Sequence, residues 1–379
     1  RELEAGPDSA MYKLRKFAAR HRRGLIVAGV FSLCAIAAAG LIARYAYIAA
    51  TQRDIARAAT EFLIDDVLAS AAAPGESSPD TGLRVIDLMR AADTNATERF
   101  ARTPDIEISV RTRLAIAFTL LGDPPGARRQ IERIRELRPG LSEGADDQSA
   151  RLVAAEAESL YRDRRSREAI SRLSALRTKL IAARGLDDLL VLDIGNQLGG
   201  LYKWDGQFDE AEVVYSDVVT RRARVLGDGD GDTLIARHNL ARVPEMRARA
   251  LSRDPDNTDA KRAEIVRLRE TAINAMTTVV RDATASLGAD DTRTLGSRAE
   301  LLAMYRRAGR HGEAIALYPA LIQSMRRLLG SEHWRTLDTQ ANYARSLMAV
   351  GNLTDAKEVL IPCLEGFRVQ GSAQSVGEH

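Results

Sequence analysis

Apolar residues recur along most of this chain at the three- and four-residue spacing that is typical of amphipathic helices. Leu198, Leu201 and Tyr202 share one helical face. A second face follows Gly206 and is formed by Ala211, Val214, Tyr215 and Val218. Since few β-branched runs interrupt this spacing, the pattern predicts pairs of helices joined by short turns. Gly206 is expected to end the first helix in a left-handed conformation.

The helix pair repeats along the chain with a period of 42 residues. Gly185 and Gly227 are 42 positions apart, and so are Gly288 and Gly330. Counting from these glycines predicts six units, which begin near residues 101, 143, 185, 227, 288 and 330. The interval from 227 to 288 is 61 residues, that is 42 plus 19, so the fourth unit carries an insertion, which we place at 243–261.

Two small residues mark fixed positions in these units. The glycines that end first helices are Gly122, Gly206, Gly309 and Gly351, whereas the second unit has Arg164 there. The alanines expected at the close crossing of two helices are Ala127, Ala169, Ala211, Ala272, Ala314 and Ala356. Because a lone hairpin cannot bury its apolar stripe, the pattern predicts an all-α solenoid of stacked hairpins over residues 101–371.

The stretch LGGLYKWDGQFDEAEVVY, residues 198–215, resembles the tetratricopeptide (TPR) repeat. The signature positions are held by Leu198, Gly199, Tyr202, Gly206, Phe208, Ala211 and Tyr215. The standard TPR period is about 34 residues, and HEAT and armadillo periods are nearer to 42. Those families lack this placement of glycine and alanine, so the chain is most similar to the longer-helix TPRs of kinesin light chains.

The resemblance to TPR proteins implies a concave surface that is lined by the first helices and binds a protein or peptide. By position in the TPR pattern, the exposed residues of that surface are Asn196, Lys203, Asn239, Arg242, Arg306, Asn342 and Arg345. The set is rich in cations and amides, which favours an acidic or carboxylate-bearing partner. The alternative is that each residue is an ordinary hydrophilic surface position. A homodimer is also kept open.

The run GDGDGDTL, residues 227–234, alternates Asp with Gly as a calcium loop does. It aligns with GADDTRTL at 288–295 and GSEHWRTL at 330–337, which both precede a predicted helix. In an EF-hand counted from Asp228, Thr233 would replace the glycine and Asn239 the final glutamate. We therefore interpret the run as a turn between units, with its acids ahead of a helix N-terminus.

Residues 24–43, GLIVAGVFSLCAIAAAGLIA, contain no charged residue. A helix of that length spans about 30 Å, the thickness of the bilayer hydrocarbon. The stub 1–23 carries a basic cluster, so the positive-inside rule predicts a single-pass inner-membrane helix with a cytoplasmic N-terminus and an extracytoplasmic or periplasmic remainder. A signal peptide and a packed helix of a cytoplasmic adaptor are the alternatives.

The order of basic stub, membrane helix, membrane-proximal segment 44–100 and TPR units resembles the C-terminal half of bacterial membrane-bound Ser/Thr protein kinases. The similarity lies in YKLRKFAARHRR (12–23) and ARAATEFLIDDVL (56–68). It implies a kinase domain upstream of Arg1 and a TPR sensor followed by a short tail, 372–379. A membrane-bound transcription regulator and a stand-alone exported scaffold are the alternatives.

Composition and motifs narrow the function further. A net charge of +3 over 379 residues argues against a nucleic-acid-binding protein, and Cys34 and Cys363 form no metal-ligand spacing. The chain contains no P-loop, nucleophile elbow, HExxH or kinase motif, so it indicates neither a cofactor nor a catalytic residue. An enzyme site hidden in 243–261 lacks a nucleophile–base pair. We expect His238 to be solvated, with a groove contact as the alternative. Trp204 is expected to pack or cap near Gly206 and Trp334 to cover a turn, with a ligand contact as the alternative for each.

Overall fold

The computed structural model describes residues 85–144, 146–256 and 258–375. Within these ranges the regular elements are thirteen α-helices and one short 3-10 helix, Leu141–Glu143, with no strand. The all-α solenoid that the sequence predicts is thereby confirmed. The predicted membrane helix 24–43, the flanking stub, and residues 376–379 of the tail lie outside the described residues. None of the described helices is long and apolar enough to cross a bilayer.

A leading helix, α1 (Val85–Arg99), precedes six helical hairpins. The hairpins are α2 (Pro104–Leu120) with α3 (Pro124–Leu137), α4 (Asp147–Arg162) with α5 (Ser166–Arg184), α6 (Leu189–Asp205) with α7 (Phe208–Leu226), α8 (Gly231–Leu251) with α9 (Asp259–Leu287), α10 (Thr292–Arg307) with α11 (His311–Leu329), and α12 (Trp334–Ala349) with α13 (Leu353–Ser375). Each first helix also contacts the first helix of the next hairpin. The even-numbered helices therefore line up side by side and form one continuous face.

The turns follow the predicted glycine pattern. Gly206 ends α6 with φ 84° and ψ 6°, the left-handed conformation that a glycine adopts without steric cost. Arg164 occupies the same position between α4 and α5 and takes φ 63°, the one positive φ of a non-glycine residue in the described part of the chain. The tertiary packing of the second unit thus imposes the same turn on a residue that disfavours it.

The recurring alanines are all buried in the described structure. Five of them are fully buried and Ala356 is 3% exposed. A close approach of two helices explains Gly199, because a Cβ built there would lie 2.9 Å from the Tyr215 ring. These small side chains let the two helices of each hairpin pack at short range, as predicted.

The fourth hairpin is taller than its neighbours. Its helices α8 and α9 contain 21 and 29 residues, whereas α6 and α7 contain 17 and 19. The added turns extend the core through a cluster formed by Ala248, Ile265 and Leu268. The extra residues of this unit therefore lie largely in lengthened helices.

Candidate ligand groove

The aligned first helices form a concave face that contains two adjoining grooves. The N-terminal groove has a volume of about 650 Å³ and is lined mainly by α2, α4, α6 and α8. The C-terminal groove has a volume of about 700 Å³ and is lined mainly by α8, α10 and α12. Arg242 lines both grooves, which makes them neighbours on one surface.

The structure brings most of the predicted surface residues into these grooves. Asn196, Lys203, Asn239 and Arg242 line the N-terminal groove, and Asn342 lines the C-terminal groove. Asn239 Nδ2 donates a hydrogen bond of 3.2 Å to Asn196 Oδ1, which ties α8 to α6 across the groove floor.

Two of the predicted residues lie beside the grooves and do not line either of them. Arg306 is half-buried on α10, and burial lowers the pKa of its guanidinium. Arg345 is exposed on α12 and donates a hydrogen bond of 3.1 Å from Nη1 to Asn342 Oδ1.

Lys203 is the most unusual of the groove residues because its side chain is only 3% exposed. Its Nζ lies 5.6 Å from the ring centroids of Trp204 and Tyr215, within cation–π range. Among the described residues none gives it an ion pair or a hydrogen bond. Burial, assisted by the positive charge of Arg242 and opposed by Glu300, lowers the pKa of Lys203 to about 7.

Arg242 connects Lys203 with the neighbouring groove. Its guanidinium carbon lies 5.8 Å from the centroid of Trp204, and its Nε lies 3.7 Å from Glu300 Oε2. Trp204 itself is 49% exposed. An indole flanked by two cations therefore faces open space at the rim of the N-terminal groove.

The charged residues of the N-terminal groove do not balance. Its lining contains the cations Arg162, Lys203 and Arg242 but one carboxylate, Glu158. That carboxylate accepts a hydrogen bond of 3.0 Å from Arg162 Nε. The other two cations, Lys203 and Arg242, have no carboxylate partner among the residues that line this groove.

In the C-terminal groove, by contrast, several cations have partners within the protein. Arg307 donates to Glu300 at 2.7 Å, and Arg293 donates to Asp291 at 2.8 Å. Trp334 is 57% exposed beside them, with the Arg335 guanidinium carbon 5.3 Å from its ring centroid. This groove offers an aromatic surface framed by charges that are mostly already paired.

The structure places three of the residues singled out in the sequence in the grooves. His238 is partly buried in the lining of the C-terminal groove, the alternative to a solvated position. Its Nδ1 lies 3.0 Å from Ser297 Oγ, and burial lowers its pKa to about 4. Trp204 and Trp334 remain half exposed and line the grooves. Sequence reasoning also missed Glu300. Glu300 lies on the first helix of the fifth unit, one repeat before Asn342. This repeat position could have identified it as a residue of the groove surface.

The Asp–Gly run forms the turn that its alignment predicts. Asp230 caps α8, and its carboxylate accepts from the backbone N–H groups of Asp232 at 2.9 Å and Thr233 at 3.2 Å. Asp228 forms an ion pair with Arg237. Throughout residues 85–375, as far as they are described, no three His, Cys, Asp or Glu side chains come together as metal ligands.

A comparison with protein families matches two of the predicted repeats. The tetratricopeptide repeat family model matches residues 191–232 and 294–335. Solved structures that resemble the chain include TPR-like repeats of a candidate kinesin light chain from Podosopora anserina, at 22% identity over 58% of this chain and 97% of that chain, with a TM-score of 0.43. BtubC (BKLC) from P. vanneervenii is 16% identical over 75% of this chain and 94% of that chain, with a TM-score of 0.41.

A third similar structure is a signal transduction ATPase with numerous domains and a TPR sensor, from Pyrococcus horikoshii. It is 16% identical over 76% of this chain and 42% of that chain, with a TM-score of 0.46. No curated protein matches the chain. The family model thus matches the third and fifth hairpins of the all-α solenoid that the described residues form.

Proposed function

We propose that this chain is a scaffold or sensor module that binds an acidic segment of a partner protein along its concave face. The observation that carries the proposal is the pair of cations, Lys203 and Arg242, beside the half-exposed Trp204 in an open groove. Exposed aromatic and arginine side chains are enriched at the energetic centres of protein interfaces. A carboxylate-bearing segment would supply the negative charge that the groove lining lacks.

The face is suited to an extended or helical segment of a protein. The two grooves adjoin at Arg242, so a single segment could contact Trp204 in one and Trp334 in the other. Stacked repeats typically present such long, rigid binding surfaces. Charged groups that remain solvated mainly raise the association rate, and they make binding sensitive to salt.

A charge-varied peptide screen tests this function. We expect fluorescent peptides rich in Asp and Glu to bind the full chain, and matched peptides rich in Lys to fail. Arg242→Ala should weaken acidic-peptide binding about tenfold, the size of a lost charge-assisted contact. Arg281→Ala is the matched control, because Arg281 is a 73% exposed arginine on α9 outside both grooves. Equal binding of acidic and basic peptides would contradict the proposal.

We further propose that residues 24–43 anchor the chain in the bacterial inner membrane as its single spanning helix. Twenty uncharged residues after a basic stub support this placement. An alkaline phosphatase fused after residue 60 should then be active, as the enzyme is when exported. An inactive but stable fusion would favour the cytoplasmic adaptor.

The resemblance of residues 12–23 and 56–68 to membrane-bound kinases supports a sensory role in the same proposal. Ligand binding outside the membrane would then act on a cytoplasmic Ser/Thr kinase domain. Reading the coding sequence upstream of Arg1 tests this link. A kinase motif set there would support it, and a winged-helix domain would replace it with transcription regulation.

A further inference from the structure

No carboxylate of the described residues forms an ion pair with the buried ammonium of Lys203. A charged group that leaves water is strongly destabilised unless an opposite charge or hydrogen bonds compensate it. The rings of Trp204 and Tyr215, each 5.6 Å away, offer only cation–π attraction. The described structure therefore gives this side chain a site where it is poorly stabilised as a cation.

The charged groups on every neighbouring helix reinforce this imbalance. On α4, Glu158 is paired with Arg162, and Tyr161 completes that wall of the groove. On α7, Tyr215 is a neutral phenol whose pKa is raised by burial. Arg242 and His238 on α8 face Glu300 on α10. Glu300 Oε2 lies 3.7 Å from Arg242 Nε, and Glu300 Oε1 lies 2.7 Å from Arg307 Nη2. Glu300, the carboxylate whose charge acts on Lys203, is thus already shared by two arginines.

We propose that Lys203 and Arg242 form a carboxylate-binding subsite, and that a ligand carboxylate enters it together with one proton. The proposal rests on the function proposed above and adds the recognition residue and its linkage to pH. In the free protein Lys203 is held partly as the neutral amine. The bound carboxylate supplies the missing counter-charge, and the amine takes a proton from solvent to become the ammonium.

The sign of the pH effect follows from this proton balance. An added carboxylate favours the charged form, so ligand binding raises the pKa of Lys203 above its free value of about 7. Ligand affinity is then highest below pH 7 and falls as the pH rises toward the pKa of the bound state. Because one proton is taken up, the loss approaches tenfold per pH unit within that window.

The test is isothermal titration calorimetry of the full chain with the hexapeptide acetyl-(Asp-Glu)3-amide. Titrations at pH 8 in phosphate and in Tris separate the heat of buffer ionisation, and the difference gives the number of protons taken up. We expect a value approaching one proton for the wild-type chain. Arg281→Ala should give the same value, because that arginine lies outside the groove.

Two variants at position 203 distinguish recognition from folding. Lys203→Arg keeps a permanent positive charge, so it should bind the peptide without proton uptake and with little change between pH 6.5 and 8.5. Lys203→Gln should bind at least tenfold more weakly at pH 6.5. Circular dichroism checks that both variants keep the helical content of the wild-type chain.

A measurement without variants covers the case in which neither variant folds. Trace acetylation of the full chain, read by mass spectrometry, reports the titration of each lysine. Lys203 should titrate near pH 7 in the free protein and at higher pH with the peptide present. The exposed Lys357 lies outside both grooves and serves as the control, because the peptide should not change its acetylation.

The outcomes separate this inference from the proposed function. Peptide binding without proton uptake, together with a Lys203 whose acetylation the peptide does not change, would overturn the subsite and leave the acidic-ligand groove in place. Failure of every acidic peptide to bind would overturn both.

Discussion

At the scale of single residues, the hairpin turn of the second unit holds a residue type that disfavours the backbone conformation found there. Arg164 takes φ 63° where the other units use glycine, as Gly206 does with φ 84°. A side chain in the left-handed region costs roughly 1–2 kcal/mol, and glycine avoids that cost but loses more chain entropy on folding. Arg164 is therefore a local source of instability in the second unit.

Replacing Arg164 with glycine should stabilise the protein by about 0.5–1 kcal/mol, because the relieved strain exceeds the added entropy cost. The change is measured as a higher thermal midpoint by circular dichroism. Gly206→Ala is the reciprocal control and should lower the midpoint. Destabilisation by Arg164→Gly would mean that the side chain makes a stabilising contact that outweighs the strain.

The recurring alanines lead to a second prediction at this scale. Ala314 is fully buried and packs in the cluster that contains Tyr318 and Leu321. Ala314→Leu adds three carbons where no space is left, which should cost about 1–3 kcal/mol of unfolding free energy. Ala314→Gly tests the same site in the opposite direction and should cost about 1 kcal/mol through helix propensity. An unchanged midpoint in Ala314→Leu would show that the crossing can open.

At the scale of the element, helix starts are set by short polar side chains that the sequence makes visible. Asp146, Asp188, Asp230 and Asp291 cap α4, α6, α8 and α10 by accepting backbone N–H hydrogen bonds. The Arg293 guanidinium also hydrogen-bonds Asp291 and holds the pKa of that carboxyl at about 2. The start of α10 is therefore linked to pH.

The pH dependence of this cap follows from the depressed pKa of Asp291. The cap stabilises the folded state above the ordinary carboxyl pKa of 3.8 and loses that contribution as the pH falls through about 2. The wild-type chain should thus lose stability between pH 4 and pH 2, and Asp291→Asn should lose less over the same interval. Urea unfolding at the two pH values measures both. Equal losses would show that the cap does not titrate in this range.

Element existence and order could be predicted from the sequence because periodicity, glycine and alanine act locally. The height of the fourth hairpin could not, since counting repeats locates an insertion only between two marker residues. Pro244 lies inside α8, which shows that tertiary packing continued the helix past a residue that removes one backbone donor. The groove was likewise only partly predictable. Whether Trp204 is packed or exposed depends on the neighbouring unit, and Glu300 meets Arg242 only across two hairpins.

At the scale of the whole molecule, the solenoid has interfaces between successive hairpins and a last hairpin. Ile322 and Met325 on α11 are 6% and 1% exposed where the next hairpin packs on them. One period later, 42 residues on, the equivalent residues of α13 are Leu364 and Phe367, which are 56% and 37% exposed. The last second helix therefore presents an apolar face that the preceding unit buries.

This difference predicts opposite responses to the same substitution at equivalent positions. Ile322→Asp buries an unpaired carboxylate at the interface between two hairpins and should lower the unfolding free energy by more than about 3 kcal/mol. Leu364→Asp places the carboxylate in water and should change the unfolding free energy by no more than about 0.5 kcal/mol. Thermal and urea unfolding of the two variants, at low protein concentration, make the comparison. If Leu364→Asp were as damaging as Ile322→Asp, the outer face of α13 would have to be covered in the intact protein, because solvent exposure alone cannot make an added charge so costly.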